Sequence, residues 1–351
     1  MAVFSISGVR IKGLSACVPE QIVHNKDYKW ISEKERMLLI KTTGVVSRRV
    51  IKKGTTTSDL CIAAADKLLK EMGLGVDGID LLVFVSQTRD YPIPSTASIV
   101  QNRMKMPKSS MAFDINMGCS GYVYGLSSVV ALMSSGNIQR ALLLVGDIST
   151  ANISYRDKST YPLFGDAGTA TILELDDKVP AMYFNMQSDG EGYDAIMVHD
   201  GGMKNLASRD SLRYRRIGDG IYRNNIQLAL DGIKVFNFAL REVVPNIREL
   251  LEKSGKKLEE ADYVILHQAN LLINETIRKK LKITNDKVPL SLDRFGNTSC
   301  ASIPLTMCSN IAEDLRRKKV NLILSGFGVG LSWGSAWIET DKITVPDIIE
   351  Y

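Results

Sequence analysis

Residues 114–126 read DINMGCSGYVYGL, and this stretch places Cys119 between two glycines where a strand pattern gives way to a helix pattern. The helix-periodic segment is 120–133, so Cys119 lies at its entrance. A helix N-terminus carries unpaired N–H groups and the positive end of the helix dipole, and both favour a thiolate. Gly118 and Gly121 permit a tight turn there. Cys119 is a candidate nucleophile, with a buried structural cysteine as the alternative.

Composition places the chain among ordinary globular proteins, since 45% of its 351 residues are hydrophobic and 24% are charged. The length predicts two lobes. Neither a run of about 18 apolar residues nor a signal-peptide pattern is present, so membrane insertion is not expected. Five irregularly spaced cysteines argue against a disulfide framework and predict a cytoplasmic location. Three unclustered histidines give a metal site little support.

Basic residues form clusters within a net charge of +5, at 213–216 (RYRR), 278–280 and 316–319 (RRKK). They are either solvated faces or a landing surface for an acidic partner, because a positive patch attracts anions. Nucleic acid is not predicted, since no stripe interleaves stacking aromatics with basic residues.

Strand and helix patterns alternate along the chain. Apolar, β-branched runs predict strands at 81–85, 141–145, 169–173, 263–266 and 322–324. Helical periodicity predicts helices at 58–72, 120–133, 227–251 and 271–281. This alternation predicts an α/β fold with largely parallel sheet covered on both faces.

Two pairs of strands recur at nearly one offset. DLLVFVSQT begins at Asp80 and DYVILHQAN at Asp262, 182 positions later, while LLLVG at 142–146 returns as LILSG at 322–326. The chain therefore reads as a duplication, with halves 1–175 and 176–351 and an active site between them. Chance similarity between generic buried strands is the alternative.

His267 and Asn297 are the other two candidates. His267 ends the apolar strand run of YVILHQAN, and α/β folds bind ligands at the carboxyl ends of strands. Asn297 lies in the turn sequence RFGNTSCASIPL, where Thr298 or Ser299 could cap a helix continuing through Arg317. A core histidine and a turn asparagine are the plain alternatives. Together, a neutral imidazole and a carboxamide would form a two-donor clamp for an enolate oxygen.

The glycine-rich stretch SGFGVGLSWGS covers residues 325–335. It is a weak phosphate loop, because it runs into an apolar strand and lacks the Walker lysine. Two other interpretations fit this stretch better than a phosphate loop. It is either a tight turn that donates an N–H near Cys119 or a site of simple close packing, and the sequence favours neither of the two.

Four stretches, DINMGCSGYVYGL, LHQANLLI, RFGNTSCASIPL and GFGVGLSWGSA, resemble in order the signature segments of β-ketoacyl-acyl-carrier-protein synthase III, a thiolase-fold enzyme. TTGVVSRR, PSTASIVQ and LFGDAGTATIL extend the resemblance to nearly the whole chain. It implies a homodimer of subunits with two duplicated halves in a five-layered αβαβα architecture.

The resemblance also implies roles for the candidate residues. Cys119 matches the nucleophile that accepts an acyl group from a thioester, and His267 and Asn297 match the pair that stabilises the enolate of a malonyl thioester after carbon dioxide leaves. The backbone N–H groups of Cys119 and Val329 would hold the oxyanion, although the family usually has glycine at the latter position. Asn270 matches another residue of the site.

The family uses no metal and no redox cofactor; its substrates are an acyl-coenzyme A and malonyl-acyl-carrier protein, an acidic partner. Leu38 and Lys158 stand where many members clamp the coenzyme A adenine between tryptophan and arginine, and Trp30 is out of register. Ile93 stands where a larger aromatic can limit the acyl pocket, and Leu272 replaces a basic residue that faces the carrier protein.

Decarboxylating Claisen condensation, in fatty-acid initiation or a related pathway, is the predicted function. One alternative is acyl transfer from Cys119 to an alcohol or amine on the same fold. Another is a catalytically idle partner subunit, against which the intact Cys119, His267 and Asn297 set argues.

Overall fold

The structure is a computed structural model that describes residues 2–351. Within these residues the strands are β1 (Ala2–Ile6), β2 (Val9–Val18), β3 (Ile22–His24), β4 (Ser47–Arg49), β5 (Leu81–Val85), β6 (Met111–Ile115), β7 (Arg140–Asp147), β8 (Ala167–Leu175), β9 (Met182–Ser188), β10 (Ile196–Met197), β11 (Arg215–Gly218), β12 (Ile221–Arg223), β13 (Ala229–Leu230), β14 (Tyr263–Leu266), β15 (Lys319–Gly328), β16 (Ser332–Asp341) and β17 (Ile349–Glu350). The α-helices are α1 (Glu33–Thr43), α2 (Thr57–Met72), α3 (Thr96–Arg103), α4 (Gly121–Met133), α5 (Gly232–Ser254), α6 (Leu271–Leu281), α7 (Leu292–Phe295), α8 (Ser302–Asn310) and α9 (Ala312–Arg317).

Two large sheets carry the fold. One has the order β1-β9-β16-β15-β14 and the other β17-β2-β8-β7-β5-β6. Both are mixed, so the prediction of largely parallel sheet is wrong: β14–β15, β7–β5 and β5–β6 are parallel, whereas β15–β16 and β7–β8 are antiparallel. In the five-stranded sheet, the short link 329–331 between β15 and β16 leaves no length for a crossover and forces antiparallel pairing.

Helices occupy both faces of each sheet. α4 and α8 lie between the sheets, within one apolar core built from both. α2 and α3 cover the outer face of the six-stranded sheet, and α5 and α6 cover the outer face of the other. The five-layered αβαβα architecture is therefore confirmed.

The duplication is visible in the order of the strands. β2-β8-β7-β5 in one sheet has the same order and the same directions as β9-β16-β15-β14 in the other. The terminal strands cross over, because β1 pairs with β9 and β17 pairs with β2. The boundary at residue 175 falls between β8 and β9, and the division into 1–175 and 176–351 stays a prediction.

Local predictions hold for most elements: the strands at 81–85 and 263–266 have the predicted bounds. The helix predicted from residue 227 begins instead at Gly232, because residues 229–230 form β13 and the Asp231 side chain caps the helix by accepting from the N–H groups of Ile233 and Lys234. Among residues 2–351, no helix is long and apolar enough to cross a membrane.

The helix predicted after Asn297 is also different. It begins at Ser302 after a 3-10 turn (Ser299–Ala301), and it is interrupted at Ile311. Neither Thr298 nor Ser299 caps it. Ser299 instead has a left-handed backbone conformation, φ 52°, because the chain turns there to pass the candidate site.

Candidate active site

Cys119 lies in the turn between β6 and α4, and the end of β15 packs directly against it. A Cβ at Gly328 (φ 156°) would lie 2.6 Å from the Cys119 Cβ and 2.8 Å from its Sγ. A Cβ at Gly118 would overlap the side chains of Gln87 and Val329. Glycine is required at both positions because the chain approaches the thiol so closely.

The Cys119 thiol is 8% exposed, and burial raises its pKa to about 11. Three hydrogen bonds lower the pKa of this thiol: they involve the Val329 backbone, the Ser299 side chain and the Cys119 backbone. The helix entrance was expected to favour the thiolate, but the cost of removing a charge from water outweighs it. At neutral pH the thiol therefore keeps its proton.

His267 follows the last residue of β14 and is 1% exposed. Its Nδ1 lies 2.7 Å from the Ser302 Oγ, which accepts the Gln268 N–H at 3.3 Å. The Ser302 O–H is therefore available to donate to Nδ1, which assigns the ring proton to Nε2. Burial lowers the His267 pKa to about 3, and a hydrogen bond with the Ser299 backbone acts in the opposite direction, so the imidazole is neutral and is a hydrogen-bond donor.

Asn297 is held in a turn that ties the two halves together. Its backbone N–H donates to the Leu163 oxygen at 2.9 Å, and its own backbone oxygen accepts the Gly165 N–H at 3.0 Å. The Asn297 Oδ1 accepts the Ser299 N–H at 2.9 Å, which fixes the orientation of the amide. The Nδ2 group lies 3.5 Å from the Ala269 oxygen, so one of its N–H bonds stays free.

One cavity of about 700 Å³ brings Cys119, His267, Asn297 and Val329 together. Its position follows from the topology, because Cys119 comes after β6, His267 after β14 and Val329 after β15. Strand carboxyl ends from both sheets thus meet at one place. Much of the remaining wall is apolar, with Leu163, Phe164, Leu228, Leu230, Val235 and Ile273 among its members. A two-donor clamp lies beside a thiol in a largely apolar cavity.

The other predicted substrate residues fall into two groups. Asn270 lines the cavity, and its Oδ1 caps α6 by accepting the Ile273 N–H at 2.9 Å. Leu38 (60% exposed), Lys158 and Ile93 (79% exposed) do not line it. Their roles in substrate binding stay predictions.

Lys158 is held on the surface by ion pairs to Glu35 at 3.2 Å and Asp219 at 2.7 Å. An aromatic–cation pair exists nearby but between other residues: the Arg156 guanidinium lies 5.7 Å from the centre of the Trp30 ring. From the sequence, Trp30 was placed out of register and Arg156 was not singled out.

Sequence reasoning also missed Asp147, which ends β7 and lines the cavity. Its Oδ1 accepts hydrogen bonds from the N–H groups of Gln87 and Thr88 and from the hydroxyls of Ser86 and Thr88, at 2.8–3.0 Å. Its Oδ2 lies 3.3 Å from the Cys300 Sγ. Its place at the end of a parallel strand next to β5 was the available signal.

All five cysteines are free and buried. Across residues 2–351, no group of three or more His, Cys, Asp or Glu side chains is arranged to hold a metal ion. The absence of a metal or redox cofactor stays a prediction.

Family models match two parts of the chain. Residues 113–190 match 3-oxoacyl-[acyl-carrier-protein (ACP)] synthase III, and residues 251–340 match its C-terminal model. The two matched segments contain Cys119, His267 and Asn297.

Individual relatives extend the similarity over the full length. A β-ketoacyl-[acyl-carrier-protein] synthase III of Clostridium perfringens is 33% identical over 335 residues, which is 95% of this chain and 100% of that protein. The crystal structure of a 3-oxoacyl-(acyl-carrier protein) synthase from Burkholderia xenovorans LB400 has a TM-score of 0.93 and 36% identity, over 99% of each chain. Another 3-oxoacyl-(acyl-carrier-protein) synthase III structure has a TM-score of 0.89 and 32% identity, over 94% of this chain and 99% of that one.

Proposed function

Because the chain belongs to the 3-oxoacyl-[acyl-carrier-protein] synthase III family, we propose that Cys119 accepts an acyl group and condenses it with malonyl-acyl-carrier protein. The observation that carries this proposal is the meeting of Cys119, His267 and Asn297 in one cavity. The product is a β-ketoacyl thioester.

In the first half-reaction the Cys119 sulfur attacks the thioester carbonyl of the donor. A new carbon–sulfur bond forms, the donor's own carbon–sulfur bond breaks, and the proton of the Cys119 thiol leaves on the departing thiol. The Val329 N–H, which already contacts the Cys119 sulfur, and the Cys119 N–H are the donors for the oxyanion. Covalent capture divides the reaction into two easier steps.

In the second half-reaction the malonyl group loses carbon dioxide and becomes an enolate. The His267 Nε2–H and the free Asn297 Nδ2–H stabilise the enolate oxygen by hydrogen bonding. Because the imidazole is neutral, it can donate this hydrogen bond without a carboxylate beside it. The enolate carbon then attacks the acyl-cysteine carbonyl, and the Cys119 sulfur leaves and regains a proton. No general base is required.

The pKa of His267 also separates condensation from acyl transfer to an alcohol or amine. A general base works best with a pKa near the working pH, whereas burial lowers the His267 pKa to about 3. The histidine is therefore a poor base and a good donor, which favours condensation.

The docking surface for the acidic carrier protein is proposed at segment 198–223, four residues of which (Val198, Asp200, Gly201 and Gly202) line the cavity. In this segment Arg213 and Arg215 are already paired with Asp210, and Arg223 with Asp157. Three further cations, Lys204, Arg209 and Arg216, form no ion pair within residues 2–351. They are the better candidates to meet a carrier protein.

We also propose a homodimer in the cytoplasm. Its interface is expected at β6, the edge strand of the six-stranded sheet, where Met111, Tyr91 and Ile93 are exposed. An unpaired edge strand with apolar neighbours is suited to pairing with a second copy.

Two measurements test the function together. Incubation with malonyl-acyl-carrier protein is expected to release carbon dioxide, and intact-mass spectrometry with acyl thioesters is expected to show one acyl adduct that Cys119→Ala lacks. If no carbon dioxide is released, condensation is rejected. If no thioester forms an adduct, the protein is instead a catalytically idle subunit.

A further inference from the structure

The Val329 N–H, one of the two proposed oxyanion donors, belongs to the short link 329–331 between β15 and β16. Glycines flank this residue, and both Gly328 (φ 156°) and Gly330 (φ 140°) have backbone conformations that other residues rarely adopt. Because glycine has no side chain to restrict its rotation, these two positions do not by themselves hold the Val329 peptide in one orientation. An oxyanion donor is effective when it is in place before the charge develops. Another group must therefore fix this link.

Ser332, the first residue of β16, supplies that contact. Its hydroxyl donates to the Val329 backbone oxygen at 2.7 Å, since a carbonyl oxygen can only accept. The Ser332 Oγ also lies 2.7 Å from the Ser120 Oγ. Because a serine hydroxyl has one proton and that of Ser332 is already used, the Ser120 hydroxyl is the donor in this second bond. The two bonds therefore run in one direction, from Ser120 through Ser332 to Val329.

Ser120 directly follows the nucleophile and stands at the N-cap position of α4. A serine there ordinarily accepts a hydrogen bond from a helix N–H, but within residues 2–351 the Ser120 side chain makes no such bond. Its hydroxyl instead contacts Ser332, 212 positions along the chain. The backbones are close as well, because a Cβ at Gly326 would lie 2.9 Å from the Ser120 Cα. This serine thus gives up a local role for a long-range contact.

The serine pair, Ser120 and Ser332, connects the two oxyanion donors with each other. One donor is the N–H of Cys119, the residue before Ser120, and the other is the N–H of Val329, whose carbonyl accepts from Ser332. These donors are far apart in the sequence, so local geometry cannot set the distance between them. Both serines are buried outside the cavity wall, so they contact the backbone that carries the donors and not the substrate.

We propose that Ser120 and Ser332 are positioning residues that hold the Val329 N–H where it binds the oxyanion. The inference rests on the proposed function, since the oxyanion forms when Cys119 attacks a thioester. It also separates two steps of the reaction. The serine pair serves the steps at Cys119, whereas decarboxylation uses the histidine and asparagine clamp and does not depend on the pair. No bond is made or broken at either serine.

The first measurement is the carbonyl stretching frequency of the acyl enzyme, because hydrogen bonds from the oxyanion donors weaken the carbonyl bond and lower that frequency. The full chain is acylated with acetyl-, butyryl- or octanoyl-coenzyme A that has an isotopically labelled carbonyl, and infrared difference spectroscopy locates the band. Ser332→Ala is expected to shift the band to higher frequency. It should also slow acylation of Cys119 by about tenfold, since complete loss of an oxyanion donor costs about a hundredfold or more and a displaced donor costs less.

The matched control is Ser335→Ala. Ser335 is a buried serine of the same strand, and its hydroxyl donates to that of another serine, Ser325, at 3.0 Å. Its loss removes the same kind of bond from the same sheet and should leave both the band and the acylation rate at their wild-type values. Ser332→Thr keeps the hydroxyl and should restore most of the rate.

Ser120→Ala should have a smaller effect, about threefold on acylation, because Ser332 still donates to Val329. The double variant S120A/S332A should be no slower than Ser332→Ala alone, since the series of bonds is already broken at its last member. If Ser332→Ala does not fold, Ser120→Ala is tested by the same two measurements.

Carbon dioxide release in a Cys119→Ala background distinguishes positioning from a general loss of structure. Adding Ser332→Ala to that variant should leave release from malonyl-acyl-carrier protein unchanged. A fall in release as large as the fall in acylation, or a wild-type band and rate in Ser332→Ala, would overturn the proposal. If no acyl thioester acylates Cys119 in wild type, the proposed function itself fails and this inference fails with it.

Discussion

The two sides of the active site, Cys119 on the N-terminal half and His267 on the C-terminal half, respond to burial in opposite directions. Burial raises the thiol pKa to about 11 and lowers the imidazole pKa to about 3. One cause, the loss of water around a charge, keeps both groups neutral. The two groups differ in their chemical roles: the thiol must lose its proton during acyl transfer, whereas the imidazole acts in its neutral form.

The largest effect is expected from Cys119→Ala, which should separate acylation by Cys119 from decarboxylation by His267 and Asn297. Cys119→Ala should lose the acyl adduct and reduce condensation by about a thousandfold or more, because no other group can hold the acyl chain. It should still decarboxylate malonyl-acyl-carrier protein, since the His267 and Asn297 clamp is intact. Intact mass and carbon dioxide release measure the two halves. Cys308→Ala, another buried cysteine, is the control, and an adduct persisting in Cys119→Ala would contradict the assignment.

His267→Ala is expected to have the opposite effect to Cys119→Ala, because it should lose decarboxylation and keep acylation. Loss of one preorganised donor should lower carbon dioxide release by about a hundredfold or more. Acylation of Cys119 should be nearly unchanged, because the Val329 N–H still serves that step. Stopped-flow measurement of both steps checks this, with the exposed His199→Ala as the control. If acylation falls as far as decarboxylation, the histidine activates the thiol and the two sides are not independent.

A smaller effect is expected from Ser302→Ala. Ser302 is a positioning residue that acts through the tautomer of His267, with its Oγ 2.7 Å from Nδ1. Its loss should reduce carbon dioxide release by about tenfold and leave the rate of Cys119 acylation unchanged. Ser302→Thr should restore part of the activity. A purely structural role would instead lower both rates together.

The smallest effect concerns stability against pH. The folded pKa of His267, about 3, lies below its ordinary value of 6.5, so the unfolded chain takes up a proton below pH 6.5 that the folded chain refuses. Stability is thus present above pH 6.5 and is lost as the pH falls towards 3. One pH unit below 6.5, at pH 5.5, wild type should have lost about 1.4 kcal/mol more free energy of unfolding than His267→Gln. Urea unfolding at pH 7.5 and 5.5 measures this difference, and equal losses would show that His267 is protonated in the fold.

The contribution of Cys119 to the free energy of unfolding is expected to fall at alkaline pH, whereas that of His267 falls at acidic pH. Its folded pKa is raised, so its contribution is complete below the ordinary thiol pKa and declines as the pH rises through it towards about 11. Cys119→Ser should be less sensitive to alkaline pH than wild type in the same urea experiment.

Local sequence patterns predicted the strands that frame the site. β5 and β14 were found with their bounds because short, continuous apolar runs between polar turns are typical of buried strands. The mixed sheets were missed, since strand direction depends on how β8 and β16 return to the sheet and not on their composition. The start of α5 was missed because pairing of β13 with β10 overrode helical periodicity.

Gln87, Arg89, Asn116 and Asp147 line the cavity but were not identified from the sequence. Gln87 and Arg89 are separated from Asn116 by more than twenty positions, and only the parallel pairing of β5 with β6 makes them neighbours. Asp147 joins them because β7 lies on the other side of β5. Each residue alone reads as an ordinary loop side chain.

The sequence by itself determined the residue types and their order: a cysteine at a helix entrance, a histidine at a strand end and an asparagine in a turn, on a duplicated α/β chain. These features depend on local periodicity and turn chemistry, which a chain carries in any context. The tertiary structure alone decided that these groups meet in one cavity and that burial keeps the thiol and the imidazole neutral. The reason is physical, because desolvation and the shape of a cavity arise only when distant segments exclude water from one another.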